Sequence, residues 1–247
     1  MQVNLSDLIL KNNPDTVALI GSGGKTTMMR TLARENRKDK RVLLSNTINM
    51  ERIPEEEMDF IDYEFREDYS LCADSPAGVH LLAYEIEPDN TLRGLPLEVL
   101  EKQMPCFDLN IVECDESRQR PIKAWRPNEP VLPYTTDITL GILDITALGL
   151  RISVETVHNL DVYCDFTGKK VGDIITRDDI KRLILDPDQM FRAAMGERIL
   201  FINKVENSIL EEYSTILARE IARAANAPDT IIIGSLKDEH YTVIRGR

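Results

Sequence analysis

Residues 21–27 read Gly-Ser-Gly-Gly-Lys-Thr-Thr, and what flanks them narrows the folds open to this chain. Before them, Thr16-Val17-Ala18-Leu19-Ile20 has the β-branched, apolar character of a buried strand. After them, Met28, Met29, Leu32 and Ala33 recur at helical spacing. A glycine-rich turn between a strand and a helix points successive backbone N–H groups inward around a phosphate chain, and the helix adds the partial positive charge of its N-terminus. In such a loop Lys25 reaches the β- and γ-phosphates and the Thr26 hydroxyl holds Mg²⁺, while Gly21, Ser22, Gly23, Gly24 and Thr27 complete the cradle. The loop is a shortened form. The position six before the lysine, glycine in the full pattern, is Leu19, and the first glycine is Gly21. The expected ligands are a nucleoside triphosphate, GTP or ATP, and Mg²⁺.

Strand and helix patterns alternate along the rest of the chain, which predicts a mostly parallel sheet with helices on both faces. The expected class is therefore α/β, a P-loop NTPase-like three-layer sandwich, with residues 1–247 as one domain. Strands are predicted at residues 41–47, 107–112, 137–143, 198–203 and 230–234, with an edge strand at 240–245. Helices are predicted at 95–103, 176–185, 187–195 and 208–225. Residues 50–78 are acidic and irregular, a surface excursion. Residues 80–87 and 91–94, joined by Pro88-Asp89-Asn90, read as a hairpin, so the excursion and hairpin together span about 50–94. Prolines at 121, 127, 130 and 133 make residues 118–136 an ordered loop.

In parallel sheets ligands bind beyond the carboxyl ends of the strands. That rule gathers Gly21–Thr27, Ser45–Thr47, Glu113–Asp115, Asn203–Glu206 and Gly234-Ser235 at one edge. The apolar strand before Glu113-Cys114-Asp115 ends in carboxylates, as a triphosphate site requires beside its metal. Lys25, Glu113 and Asp115 are the candidate catalytic residues, and one of the two acids would support the metal while the other orients water. Thr26, Thr47, Glu113 and Asp115 are the candidate metal ligands; Thr47 is placed to complete the metal shell or sense the γ-phosphate. Asn203-Lys204-Val205-Glu206 follows an apolar strand and is similar to the Asn-Lys-x-Asp guanine reader of GTPases, with Glu206 for the aspartate. Asn203, Lys204 and Glu206 are therefore the candidate base-binding residues, and GTP is favoured over ATP. Arg118, Arg120 and Lys123 are placed to face phosphates or an anionic substrate. His158, without a companion at metal-ligand spacing, is expected to be a helix-surface or core histidine.

Composition removes several classes of partner. A net charge of −12 without a basic stripe disfavours nucleic acid. Cys72, Cys106, Cys114 and Cys164 are scattered without a Cys-x-x-Cys pair, which argues against a zinc ribbon, an iron–sulfur site or a secreted disulfide scaffold. No apolar run approaches membrane-spanning length and no signal-like segment opens the chain, so a cytoplasmic protein without membrane association is expected.

Taken in order, these motifs resemble the YqeC family of selenium-dependent hydroxylase accessory or selenium-cofactor biosynthesis proteins. The resemblance runs through Gly21–Thr27, Ser45–Thr47, Glu113–Ser117 with Pro121 and Lys123, Glu129–Pro133, His158 and Asn203–Glu206. Glu116 stands where the family has glycine, Asn159 where it has arginine and Glu206 where it has aspartate. The resemblance implies a P-loop NTPase that assists maturation of selenium-dependent molybdenum hydroxylases, with a client hydroxylase or cofactor-assembly protein as partner. A homodimer is expected by analogy with GTPase-like accessory proteins. Two other readings compete: an ATP-dependent ligase or small-molecule kinase, since the loop is also similar to that of cell-wall amide ligases, and a nucleotide-binding switch without hydrolysis.

Overall fold

The computed structural model describes residues 4–63 and 76–244. In chain order its elements are α1 (Leu5–Ile9), β1 (Thr16–Gly21), α2 (Lys25–Asn36), β2 (Arg41–Asn46), β3 (Met50–Glu51), β4 (Phe60–Asp62), β5 (Gly78–Leu82), β6 (Glu85–Ile86), β7 (Thr91–Arg93), α3 (Leu97–Gln103) and β8 (Leu109–Glu113). There follow β9 (Ile122–Lys123), β10 (Ile138–Asp144), β11 (Val157–His158), α4 (Leu160–Thr167), α5 (Arg177–Leu185), β12 (Glu197–Asn203), α6 (Ser208–Ala222), β13 (Thr230–Ser235) and β14 (His240–Ile244).

Nine strands form the main sheet in the order β14-β13-β12-β10-β1-β8-β2-β5-β4. Every pairing in it is parallel except β13 with β14. All six residues of β1 are buried, as expected of a central strand covered on both faces. Successive side chains of that strand enter opposite cores. Val17 and Leu19 join Leu5, Ile9, Met28, Met29 and Leu32 of α1 and α2. Ala18 and Ile20 join Leu100, Ile180, Leu183, Leu217 and Ile221 of α3, α5 and α6. The result is the expected three-layer α/β sandwich. Among the described residues no helix is long and apolar enough to cross a membrane.

Three local expectations are corrected. Residues 80–87 are not one hairpin arm: Gly78–Leu82 is fully buried and lies parallel to β2 within the main sheet, and only Glu85–Ile86 pairs with β7. Within the acidic excursion, Phe60–Asp62 is the edge strand of the same sheet, and Met50, Ile53 and Met58 are buried; residues 64–75 of that excursion lie outside the described residues. Residues 187–195 form turns rather than a helix. A Cβ built on Gly141 of β10 would stand 2.8 Å from both Met190 and Phe191, so those side chains fill the hollow that the glycine leaves in the sheet surface. That docking wins over local helix propensity.

Candidate functional site

The glycine-rich loop takes its shape from contacts that leave no room for side chains. Gly21 and Gly23 have φ of 97° and 90°. A Cβ on Gly21 would lie 2.2 Å from the Ile142 carbonyl oxygen, and one on Gly23 would lie 2.3 Å from the Asp144 Cβ. Both the left-handed backbone and the close approach require glycine. Ser22 is pinned from two sides: its N–H donates to Ile142 O (2.9 Å) and its hydroxyl to Pro121 O (3.0 Å). Gly23→Ala is therefore expected to cost about 1–3 kcal/mol, read as a fall in the urea midpoint at unchanged slope; a midpoint within error of the parent would show that the loop can relax away from Asp144.

At the start of α2 the N-cap is Gly24, no side chain caps the helix, and its first turn contains no acidic residue. Its first N–H groups thus lack a capping side chain, and the positive end of the helix dipole lacks a nearby carboxylate on the helix itself. They face a cleft of about 770 Å³, bounded by Gly23–Thr27, Glu113, Lys204 and segments following β2 and β8.

Lys25 is only 4% exposed. Its ammonium donates to Asp115 Oδ1 and Gly21 O, both at 2.8 Å, and lies 3.5 Å from Glu113 Oε1. Burial alone would lower its pKa, but Asp115 and Glu113 overcome that effect and leave it raised.

The two acids, equivalent in the sequence, occupy different surroundings. Asp115 has no exposure and accepts from every side. Gly21 N–H reaches both of its oxygens at 3.0 Å, Trp125 Nε1 donates at 2.7 Å, and Lys123 Nζ lies at 3.2 Å. Burial would raise its pKa, but Lys123 and Lys25 hold the carboxyl below its ordinary value. Glu113, the last residue of β8, is 6% exposed, borders the cleft, and its Oε2 has no hydrogen-bond partner. Burial pushes its carboxyl up to about 7 despite Lys25. Thr26 and Glu113 both line the cleft, and the partnerless Glu113 Oε2 is itself buried from solvent. Among the described residues there is no ready cluster of three acidic, His or Cys side chains for a metal.

The remaining candidates fall into three groups. Thr47 borders Glu113 through its backbone, donating N–H to Glu113 O (3.0 Å), while its hydroxyl donates to Val131 O (2.7 Å). Asn203 reaches the loop itself: Nδ2 donates to Gly23 O (2.7 Å) and Oδ1 accepts from Leu236 N–H (3.1 Å), tying the ends of β12 and β13 to the glycines. Lys204 borders the cleft and pairs with Asp144 at 2.6 Å, whereas the exposed Glu206 pairs with Lys237 at 3.3 Å. Of the three cations expected to face an anion, only Arg118 borders the cleft, where it pairs with Glu116 at 2.8 Å. Arg120 donates to Val154 O. Lys123 is completely buried and holds Asp115, Glu129 Oε2 (3.0 Å) and Glu116 O (2.8 Å), so it is internal to the loop.

His158 lies on β11 beside β9, largely buried rather than on a helix surface. Burial and the Lys123 charge push its pKa down to about 4. Two contributors had weak signals in the sequence. Trp125 is the only tryptophan, set among the prolines of the loop, and Asp144 ends an apolar strand.

Comparison with known proteins agrees with this arrangement of motifs. The family model described as YqeC protein matches residues 17–161, more than half of the chain and inclusive of the glycine loop, both acids and the proline-fixed loop. A protein of Escherichia coli (strain K12) described as uncharacterized protein YqeC is 26% identical over 216 residues, covering 83% of each chain. No solved structure matches. The chain belongs to the YqeC family.

Proposed function

We propose that this protein binds a Mg²⁺–nucleoside triphosphate at Gly21–Thr27 and cleaves its γ-phosphate slowly when alone. The observation that carries this reading is the uncapped, acid-free start of α2, open to a cleft behind a loop whose glycines cannot be replaced without collision. Lys25 would turn from Asp115 and Gly21 O toward the β- and γ-phosphates, and Asp115 would remain satisfied by Gly21 N–H, Trp125 and Lys123. Thr26 and Glu113, directly or through water, would hold Mg²⁺, which neutralises charge building on the phosphates. With Asp115 enclosed, the free Glu113 oxygen is the group left to orient the attacking water. Asn203 braces the loop, Lys204 lies against the base, and Glu206 supplies the guanine-selective acceptor, so GTP is preferred over ATP. The setting implied by the family resemblance, assistance in maturing selenium-dependent molybdenum hydroxylases, would supply the client that speeds turnover.

Because Trp125 is the only tryptophan and donates to Asp115, its fluorescence reports the departure of Lys25. Titration with GTP and with ATP, each with and without Mg²⁺, is expected to give a saturable change that is tighter for GTP. Lys25→Ala should abolish it. Since that variant strands two buried carboxylates, Thr26→Ala serves as its companion and should weaken the Mg²⁺-dependent component by about 10–100-fold. The reading fails if neither nucleotide binds saturably to the folded parent protein.

A further inference from the structure

The cleft has two flanks about β1. The sheet order sets β10, β12 and β13 on one side, carrying Asn203 and Lys204, and β8 and β2 on the other, carrying Glu113 and the segments that follow. The second flank is therefore the γ-phosphate side. Its far wall comes from outside the glycine loop: Glu51 and Thr91 on the small β3-β7-β6 sheet, Asp89 in its turn, and Glu116, Ser117, Arg118 and Gln119 after β8, with Arg118 paired to Glu116 at 2.8 Å. A water nucleophile needs no such wall. Carboxylates, hydroxyls, an amide and the Arg118 guanidinium lining a cleft of about 770 Å³ form a surface for a second polar reactant. Between wall and loop lies Glu113, more than nine-tenths buried, with an oxygen that has no protein donor. A buried acceptor without a donor is costly unless a ligand supplies one.

The sign of the wall also limits the reactant. Arg118 offsets Glu116, with which it pairs, but Glu51 and Asp89 leave the wall net negative, so it would repel a carboxylate or phosphate acceptor and accept hydrogen bonds from hydroxyl or ammonium groups. This disfavours acyl activation, which begins from a carboxylate, and favours phosphorylation of an uncharged or cationic molecule.

We propose that this wall is an acceptor subsite, and that the protein transfers the γ-phosphoryl group to a hydroxyl of a small neutral polyol or amino alcohol. The inference rests on the nucleotide reading above. The acceptor oxygen forms a bond to the γ-phosphorus as the bond from that phosphorus to the β,γ-bridging oxygen breaks. The bridging oxygen leaves on the nucleoside diphosphate with the bonding electron pair, and the hydroxyl proton passes to water.

The test supplies the full-length protein with Mg²⁺ and γ-³²P-GTP or γ-³²P-ATP. The probe is the small-molecule ultrafiltrate of a bacterial extract, split by anion exchange into an unretained neutral and cationic fraction and a retained anionic one. The unretained fraction is expected to move label into an organic phosphate and to speed diphosphate release by about tenfold or more. Glu51→Gln and Thr91→Val are each expected to raise the amount of that fraction needed for half-maximal rate by about tenfold. Label found only in inorganic phosphate, or carried into organic product only by the retained fraction, overturns the acceptor proposal while leaving nucleotide cleavage intact. Absence of nucleotide binding in the Trp125 titration instead overturns the nucleotide reading, and this inference with it.

Discussion

Asp115→Ala is expected to cost about 3–5 kcal/mol of folding stability, the range for removing one partner from a buried ionic network. Asp115 is fully enclosed, and its loss leaves Lys25 and Lys123 under-neutralised and the Gly21 and Trp125 N–H groups without their acceptor. Because Asp115 lies fully enclosed, the cost is that of stranded charge and not of lost attraction alone. Asp115→Asn keeps the volume and one accepting oxygen and should lose less. Urea unfolding followed by circular dichroism decides the matter. A loss below about 1 kcal/mol for the alanine variant would mean that the glycine loop and the 121–125 segment are held together by something other than this carboxylate. An Asp115 that were mainly a metal ligand would behave in the opposite way, since its removal from the metal-free protein would relieve repulsion.

Glu113→Gln is expected to separate stability from activity. The folded protein holds the Glu113 carboxyl at about 7, above its ordinary value of 4.5. Between those values the folded state binds more protons than the unfolded state, so the contribution of this residue to stability falls as pH rises from about 4.5 to about 7. Above that window the parent protein carries the full penalty of an ionised buried carboxylate. Glutamine carries none, although it gives up the attraction to Lys25 at 3.5 Å. The variant should thus gain about 1–3 kcal/mol at pH 8 and almost nothing at pH 4. Its γ-phosphate cleavage should fall by about 10²-fold or more, the usual cost of losing a positioned base or water-orienting group. Equal stability gains at both pH values would show that the Glu113 carboxyl titrates alike in the folded and unfolded protein. Unchanged cleavage would remove Glu113 from the chemistry and leave it as a strand-end acid.

The glycine loop, the strand before it and the helix after it were legible from the sequence because their determinants are local. Apolar spacing sets the element, and glycine permits the turn between the two. The same applies to the parallel sheet, since alternating strand and helix patterns leave few other ways to bury both faces of β1. The gathering of Thr47, Glu113 and Asn203 near one sheet edge follows from parallel strands alone. Locally ambiguous segments were resolved otherwise. Residues 187–195 have an acceptable helical pattern but dock Met190 and Phe191 over Gly141, and Gly78–Leu82 joins the main sheet because its register partner is β2, distant in the chain.

The α/β class, the sheet edge where the polar motifs gather and the residue types found there can be read from the chain alone. Which of those residues are enclosed and which keep an atom without a partner depends on the folded arrangement. Glu113 and Asp115 stand two apart on one chain, yet Gly21 from 94 residues away, with Lys25, Lys123 and Trp125, encloses one and leaves an oxygen of the other without a partner. Lys123 reads as a surface cation and lies fully buried, because Asp115 and Glu129 offset its charge there. The physical reason is the same in each case. A side chain's intrinsic chemistry is local, but its burial, its charge partners and therefore its protonation are set by groups that only the folded chain brings within a few ångströms.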